Sequence, residues 1–226
     1  LEANVRFKII KKGNLVISSL MVIVMIILSA IGSYSFAGDE RTIVELWNDV
    51  EVPTPVELKV VKVNPKETAF LILDIEERTC NSERRPRCVA SVSKIQSFLE
   101  EVRAEEIAVV YSLTSRGTPE TILSEVAPIG NEPIVKSSVD KFYNTELESI
   151  LREKGITTVI ISGTTAEGAV LHTATGAAMR GFQVIVPIDG MSAGTLYAEQ
   201  YTAWHLINAP GSRQRTTMTT FEMIEF

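Results

Sequence analysis

Three positions in this chain fall where strand-like runs end, and two of them, an aspartate and a lysine, have the types to do chemistry together. Asp74 closes the apolar run Ala69 to Leu73, and Lys136 follows a shorter one, Pro133-Ile134-Val135. Ala169 lies just past Gly163, where a third run, Thr157 to Ile161, ends in a glycine turn that opens a small-residue helix. A carboxylate and an ammonium facing each other in a dry cleft hold each other ionised, and such a pair moves a proton when a bound substrate perturbs it. A structural ion pair is the plainer alternative.

The segment leaving Asp74 carries Arg78, Arg84, Arg85 and Arg87. Forked guanidinium groups suit a substrate carboxylate, and Arg78 and Arg84 are the candidates here, with a solvated basic loop as the bland reading. Cys80 and Cys88 enclose Asn81 to Arg87 on the same segment, and no Cys or His cluster at metal-ligand spacing accompanies them. A disulfide is therefore favoured over Cys80 as a displaced nucleophile, and no metal or other cofactor is expected. His172 follows Ala169 by one helical turn and either approaches the site or packs beneath it, packing being favoured. His205, within Tyr201-Thr202-Ala203-Trp204-His205-Leu206, reads as aromatic packing or a subunit surface.

The elements that must position these residues alternate from Lys66 onward. Strand-like runs cover 69–73, 107–113, 157–161, 182–188 and, more weakly, 216–220; helical patterns cover 92–104, 145–154, 168–180 and 192–206. Thr145 and Glu148 have the spacing of a capping box, and Gly155 supplies a stop. Unbroken apolar strands alternating with helices imply a parallel sheet covered on both faces, with functional groups gathered at the carboxyl ends of the strands. Residues 38–65 read as a lead-in arm: Val52-Pro53-Thr54-Pro55 breaks regular structure, and Glu57 to Val63 alternates enough for an edge strand.

The spaced set Lys136, Phe142, Thr145-Glu146-Leu147, Gly155-Ile156, Gly163, Ala169-Val170, Thr173-Ala174, Arg180-Gly181-Phe182 and Asp189 resembles the isochorismatase-like hydrolase superfamily in order and spacing. The likeness covers Lys66 to the C-terminus. It implies a three-layer, doubly wound, mainly parallel six-stranded sheet of Rossmann-like α/β type in the order 3-2-1-4-5-6 over residues 66–226, and a homo-oligomer. In that family an Asp ending the first strand takes a thiol proton, a Lys after the third orients it, and a Cys at the helix start attacks while backbone N–H groups receive the oxyanion. Carried over, these roles fall on Asp74, Lys136 and the peptide N–H of Ala169; the nucleophile position itself holds a methyl group. Glu76 stands where the family commonly has Gln, and Ala166 where it commonly has Thr. The resemblance also implies a non-proline cis peptide near Thr165 and Ala166. Glu76, Phe142, Thr165 and His172 complete the candidate substrate-binding set, and the absence of His ligands near Asp74 argues against a nicotinamidase-type zinc site.

At the N-terminus, Arg6, Lys8, Lys11 and Lys12 precede an apolar stretch from Leu15 to Ile31, and Ser35-Phe36-Ala37 has the form of a signal-peptidase site. Residues 1–37 thus read as an export signal, with an uncleaved membrane anchor as the alternative, so a periplasmic or extracellular location is expected. Removing them takes away a net +3 from the chain's −6 and leaves a strongly acidic domain that phosphate backbones would repel. Nucleic acid is disfavoured as a partner, and a membrane enters only through the N-terminal segment. The function expected is hydrolysis of a small anionic molecule without a cysteine nucleophile; the competing expectation is a catalytically silent binding module of the same fold.

Overall fold

The computed structural model describes residues 40–226. The export segment read in residues 1–37 lies outside the described residues, among which no helix is long and apolar enough to cross a membrane. Among the described residues, those up to Val52 and Pro53–Phe226 fall into separate units. In the first, helix α1 (Ile43–Leu46) starts after Thr42, whose N–H donates to the Glu45 carboxylate at 2.7 Å.

The second unit holds strands β1 (Val61–Lys62), β2 (Thr68–Leu73), β3 (Ala108–Leu113), β4 (Ile134–Lys136), β5 (Thr158–Thr164), β6 (Gln183–Pro187), β7 (Met191–Ser192), β8 (Thr216–Thr219) and β9 (Ile224–Glu225). Its helices are α2 (Pro86–Ala104), α3 (Leu147–Glu153), α4 (Leu171–Met179) and α5 (Leu196–Asn208). The main sheet runs β4-β3-β2-β5-β6-β8, every pairing parallel, which is the expected 3-2-1-4-5-6 order; the two-residue β7 adds to the far end of β5.

Strand β2 shows why the order is a sandwich of layers. Its six residues are all buried: Ala69, Leu71 and Leu73 enter the core under α3, α4 and α5, while Phe70 and Ile72 enter the core under α2. Each large apolar side chain so buried contributes roughly 1.5–3 kcal/mol. On the α2 side Phe70, Phe98 and Phe221 interlock, with Phe70 edge-on to Phe98 at 5.1 Å between centroids. On the other side small residues of α4, Ala174, Ala177 and Ala178, bring that helix close to the sheet.

Several local expectations are corrected. Helix α2 begins at Pro86 rather than Val92, because proline fits the first helical position, where no N–H is needed. The capping box does not form: α3 starts at Leu147, whose N–H donates to the Thr145 hydroxyl at 3.2 Å, and Glu148 instead meets Arg180 at 3.0 Å. Of the predicted edge strand 57–63, only Val61–Lys62 is strand, and it pairs with β9 rather than with the main sheet. The preceding residues still run along β8, Lys59 N–H donating to the Met218 carbonyl at 3.0 Å and the Thr219 hydroxyl to the Lys59 carbonyl at 2.7 Å.

Candidate active site

The site assembles where the chain leaves β2. Asp74 adopts a left-handed backbone conformation, φ 54°, that Asp tolerates better than most residues and that turns the chain out of the sheet. Its position is fixed by β3: the Asp74 N–H donates to the Ser112 carbonyl at 3.2 Å, and the Ser112 hydroxyl donates to Asp74 Oδ1 at 2.8 Å. On the other side of β2, Gly163 of β5 is in register with Leu73 at φ 128°, and a Cβ there would lie 2.1 Å from the Leu73 carbonyl oxygen. Only glycine permits this close approach.

The ammonium facing Asp74 belongs to Lys141. Its Nζ lies 2.8 Å from Asp74 Oδ2 and also donates to the carbonyls of Ser137 at 3.3 Å and Ser138 at 2.5 Å, so all three N–H bonds are satisfied in a fully buried side chain. The Lys141 peptide N–H donates to the Thr173 hydroxyl of α4 at 3.2 Å, which ties the loop after β4 to the helix behind the site. Lys136, the lysine expected here, is exposed at the end of β4. Its strand is cut short, and the chain bends back over Ser137–Asp140 before a lysine reaches the carboxylate.

Burial raises the Asp74 carboxyl above its ordinary value; the Lys141 charge and the Lys141 and Ser112 hydrogen bonds pull it down, and the nearby Glu76 charge adds to the rise. A carboxyl so placed is a better proton donor near neutral pH than a solvated one.

Asp74 opens on a cavity of about 200 Å³ also lined by Arg85, Thr114, Ser138, Thr165 and Ala169. Ala169 sits on a turn of π-helix, Ala166–Val170, that leads into α4, with a cis peptide at Thr164–Thr165 immediately before it. The carboxyl and the Ala169 methyl therefore line one pocket, while Lys136, the third residue expected to converge there, does not.

Of the remaining expected substrate contacts, Thr165 lines the cavity and the others do not. Glu76 is fully buried beside it: its Oε1 accepts from the Thr114 hydroxyl at 2.6 Å, while Oε2 has no partner and abuts Gly117. Phe142 is a core residue, stacked on Phe182 at 6.0 Å beneath the Arg180 guanidinium. His172 is exposed on α4, and Arg78 and Arg84 are exposed on the loop after β2. In their place Arg85 lines the pocket. Cys80 and Cys88 form a disulfide, with Cα atoms 5.3 Å apart, so Cys80 is not a free thiol. His205 lies on α5 against Tyr201, whose hydroxyl is 3.2 Å from its Nδ1. Among the described residues no group of His, Cys, Asp or Glu side chains is arranged to hold a metal ion.

Sequence reasoning missed Lys141 and Ser112. Ser112 carried a signal: it is the polar residue inside the otherwise apolar run Ile107 to Leu113, next to the strand that Asp74 closes. Lys141 had less to mark it, since nothing in Ser137-Ser138-Val139-Asp140-Lys141 indicates which way an irregular loop turns.

A parallel sheet in this order, with an Asp–Lys pair and a helix-opening turn at the carboxyl ends of its central strands, defines a three-layer α/β protein of the isochorismatase-like type. The chain matches the isochorismatase domain over residues 68–220 and belongs to that family. An isochorismatase-like hydrolase from Alkaliphilus metalliredigens superposes with a TM-score of 0.63 at 24% identity, covering 69% of this chain and 94% of that one. N-carbamoylsarcosine amidase from Thermoplasma acidophilum gives a TM-score of 0.61 at 22% identity, over 69% of this chain and 97% of that one. The N-carbamoylsarcosine amidase of Arthrobacter is 30% identical over 92 residues, which is 40% of this chain and 35% of the relative, so the match spans about a third of that protein's length.

Proposed function

We propose that this chain is an exported hydrolase of a small anionic molecule that works without a covalent thiol, Asp74 supplying the proton. The observation that carries this reading is the dry Asp74–Lys141 pair opening on a polar pocket whose nucleophile position is the methyl of Ala169. The activities named for family relatives, amidase among them, supply the reaction class. The Cys80–Cys88 disulfide supports the oxidising location.

For an enol ether the proton balance is simple. Protonated Asp74 gives its proton to the vinyl carbon, water adds to the resulting oxocarbenium carbon, and the hemiketal releases an alcohol and a carbonyl. The proton lost by water restores Asp74. Lys141 holds the carboxylate between turnovers, and the Ala169 N–H lies on the turn where developing oxygen charge is received.

A screen of amides, ureides, nitriles and enol ethers, with Asp74→Asn as control, tests the proposal. Turnover that Asp74→Asn abolishes supports it; turnover unaffected by Asp74→Asn, or none in any class, overturns it. The second reading, a binding module without turnover, is favoured by Ala169 itself and gains if ligands bind and remain intact. Because the Asp74 pKa is raised, kcat/KM falls as pH rises through that value, and a pH–rate profile checks it. The same sign governs stability: this group's contribution is full below its unfolded pKa and is lost as pH rises through the raised folded one.

A further inference from the structure

We infer that Arg85 is the specificity-determining residue of this pocket and that it takes the carboxylate of a small monocarboxylic substrate. The inference rests on the reading of the pocket as a substrate site and names its substrate class.

The four arginines after β2 have separated into different tasks. Arg87 is spent on Glu199, its Nε and Nη2 meeting the two carboxylate oxygens at 2.7 and 2.5 Å. Arg84 reaches only the Arg78 carbonyl, at 3.3 Å, and both of these residues are exposed. Arg85 alone is half-buried and lines the cavity. Its Nη1 donates to the Thr79 carbonyl at 2.8 Å, which fixes one edge of the guanidinium. No carboxylate of the described residues lies within ion-pair distance of it, and its Nε and Nη2 have no hydrogen-bond partner among them. A partly desolvated guanidinium with an unused fork is an open seat for a planar anion.

The charges in the pocket agree. Lys141 is taken up by Asp74 behind the cavity wall, so Arg85 is the cation in the cavity lining, and Glu167 and Asp74 act on it through space without an ion-pair contact, which leaves its fork for one carboxylate. The size agrees as well, since about 200 Å³ is below the roughly 300–1,000 Å³ of drug-sized ligand sites. The seat is also pre-organised. Arg85 stands immediately before Pro86 at the start of α2, its N–H donates to the Asn81 carbonyl at 2.8 Å, and the Cys80–Cys88 bond closes the loop around it. Little ordering is then left to be done on binding.

The test is isothermal titration of the full chain with pyruvate, lactate and N-acetylglycine, each set against its neutral methyl amide, for wild type, Arg85→Gln, Arg85→Lys and, as control, the exposed Arg84→Gln. At least one acid binds the wild type more tightly than its amide. Arg85→Gln weakens acid binding by ~10- to 100-fold, the range of a charge-assisted hydrogen bond, and leaves amide binding unchanged. Arg85→Lys restores part of the loss, and Arg84→Gln behaves as wild type. Equal binding of acids by Arg85→Gln and wild type, or no acid preference in the wild type, overturns the inference. The failure of the hydrolase reading is separate: acid binding that depends on Arg85 but never leads to turnover rejects catalysis and keeps Arg85 as the clamp.

Discussion

Two ion pairs sit at the β3 strand and differ in almost every respect. Arg103 of α2 grips Glu132 with a two-pronged contact, Nε to Oε1 at 3.0 Å and Nη2 to Oε2 at 2.7 Å, and adds the Tyr111 hydroxyl at 3.0 Å and the Ala127 carbonyl at 3.0 Å. Water still reaches it, the two side chains being 22% and 15% exposed. Asp74 and Lys141 meet through a single contact, at 0% exposure for the lysine. The first arrangement spreads its hydrogen bonds over helix, strand and loop, as a brace does. The second holds a buried carboxyl, bonded to Ser112 and Lys141, at the edge of a cavity. Doubly bonded pairs at a rim hold structure, whereas a dry pair that leaves lone pairs facing a pocket is placed for proton transfer at some cost in desolvation.

The sharpest way to break this contrast is Lys141→Met. It strands Asp74 without its cation and costs about 3–5 kcal/mol in chemical denaturation, with loss of turnover. Adding Asp74→Asn, which tolerates the same left-handed backbone, recovers much of the stability and none of the activity. Next is the double change Cys80→Ser with Cys88→Ser, which lowers stability by about 2–3 kcal/mol by releasing the short loop in the unfolded chain. Arg103→Met costs about 1–2 kcal/mol, leaves the pH–rate profile where it was, and so separates brace from site. The smallest effect belongs to Lys136→Ala: within about 0.5 kcal/mol of wild type in melting and unchanged in turnover. A large loss of activity there would return the cationic role to Lys136 and dissolve the comparison.

The parallel sheet was legible because unbroken runs such as Ala69 to Leu73 bury both faces, as central parallel strands do, and because Asp74 interrupts that run with a charge where the sheet ends; the strand order came with the family resemblance. The family spacing added the position of Ala169. The lysine was not legible. Distance along the chain favours Lys136, nearest the strand, but a side chain at the end of a three-residue strand points where the pleat sends it, and the loop that folds back to deliver Lys141 is held by contacts to Thr173, more than thirty residues away. Arg85 was hidden for a related reason. Four arginines within ten residues look alike in sequence, and what distinguishes them is which one the start of α2 and the Thr79 carbonyl turn inward.

The seat at Arg85, with the exposed Arg78 and Arg84 on the same loop, is a local positive patch in a chain whose formal charge is −6. An approaching monoanion is therefore turned away by the body at long range and attracted only over the last few ångströms. Dissolved salt weakens the distant repulsion across a Debye length of about 10 Å at 0.1 M, yet screens the half-buried guanidinium much less. Capture by this pocket consequently quickens as ionic strength rises from very low values, the reverse of what surface-steered anion binding shows.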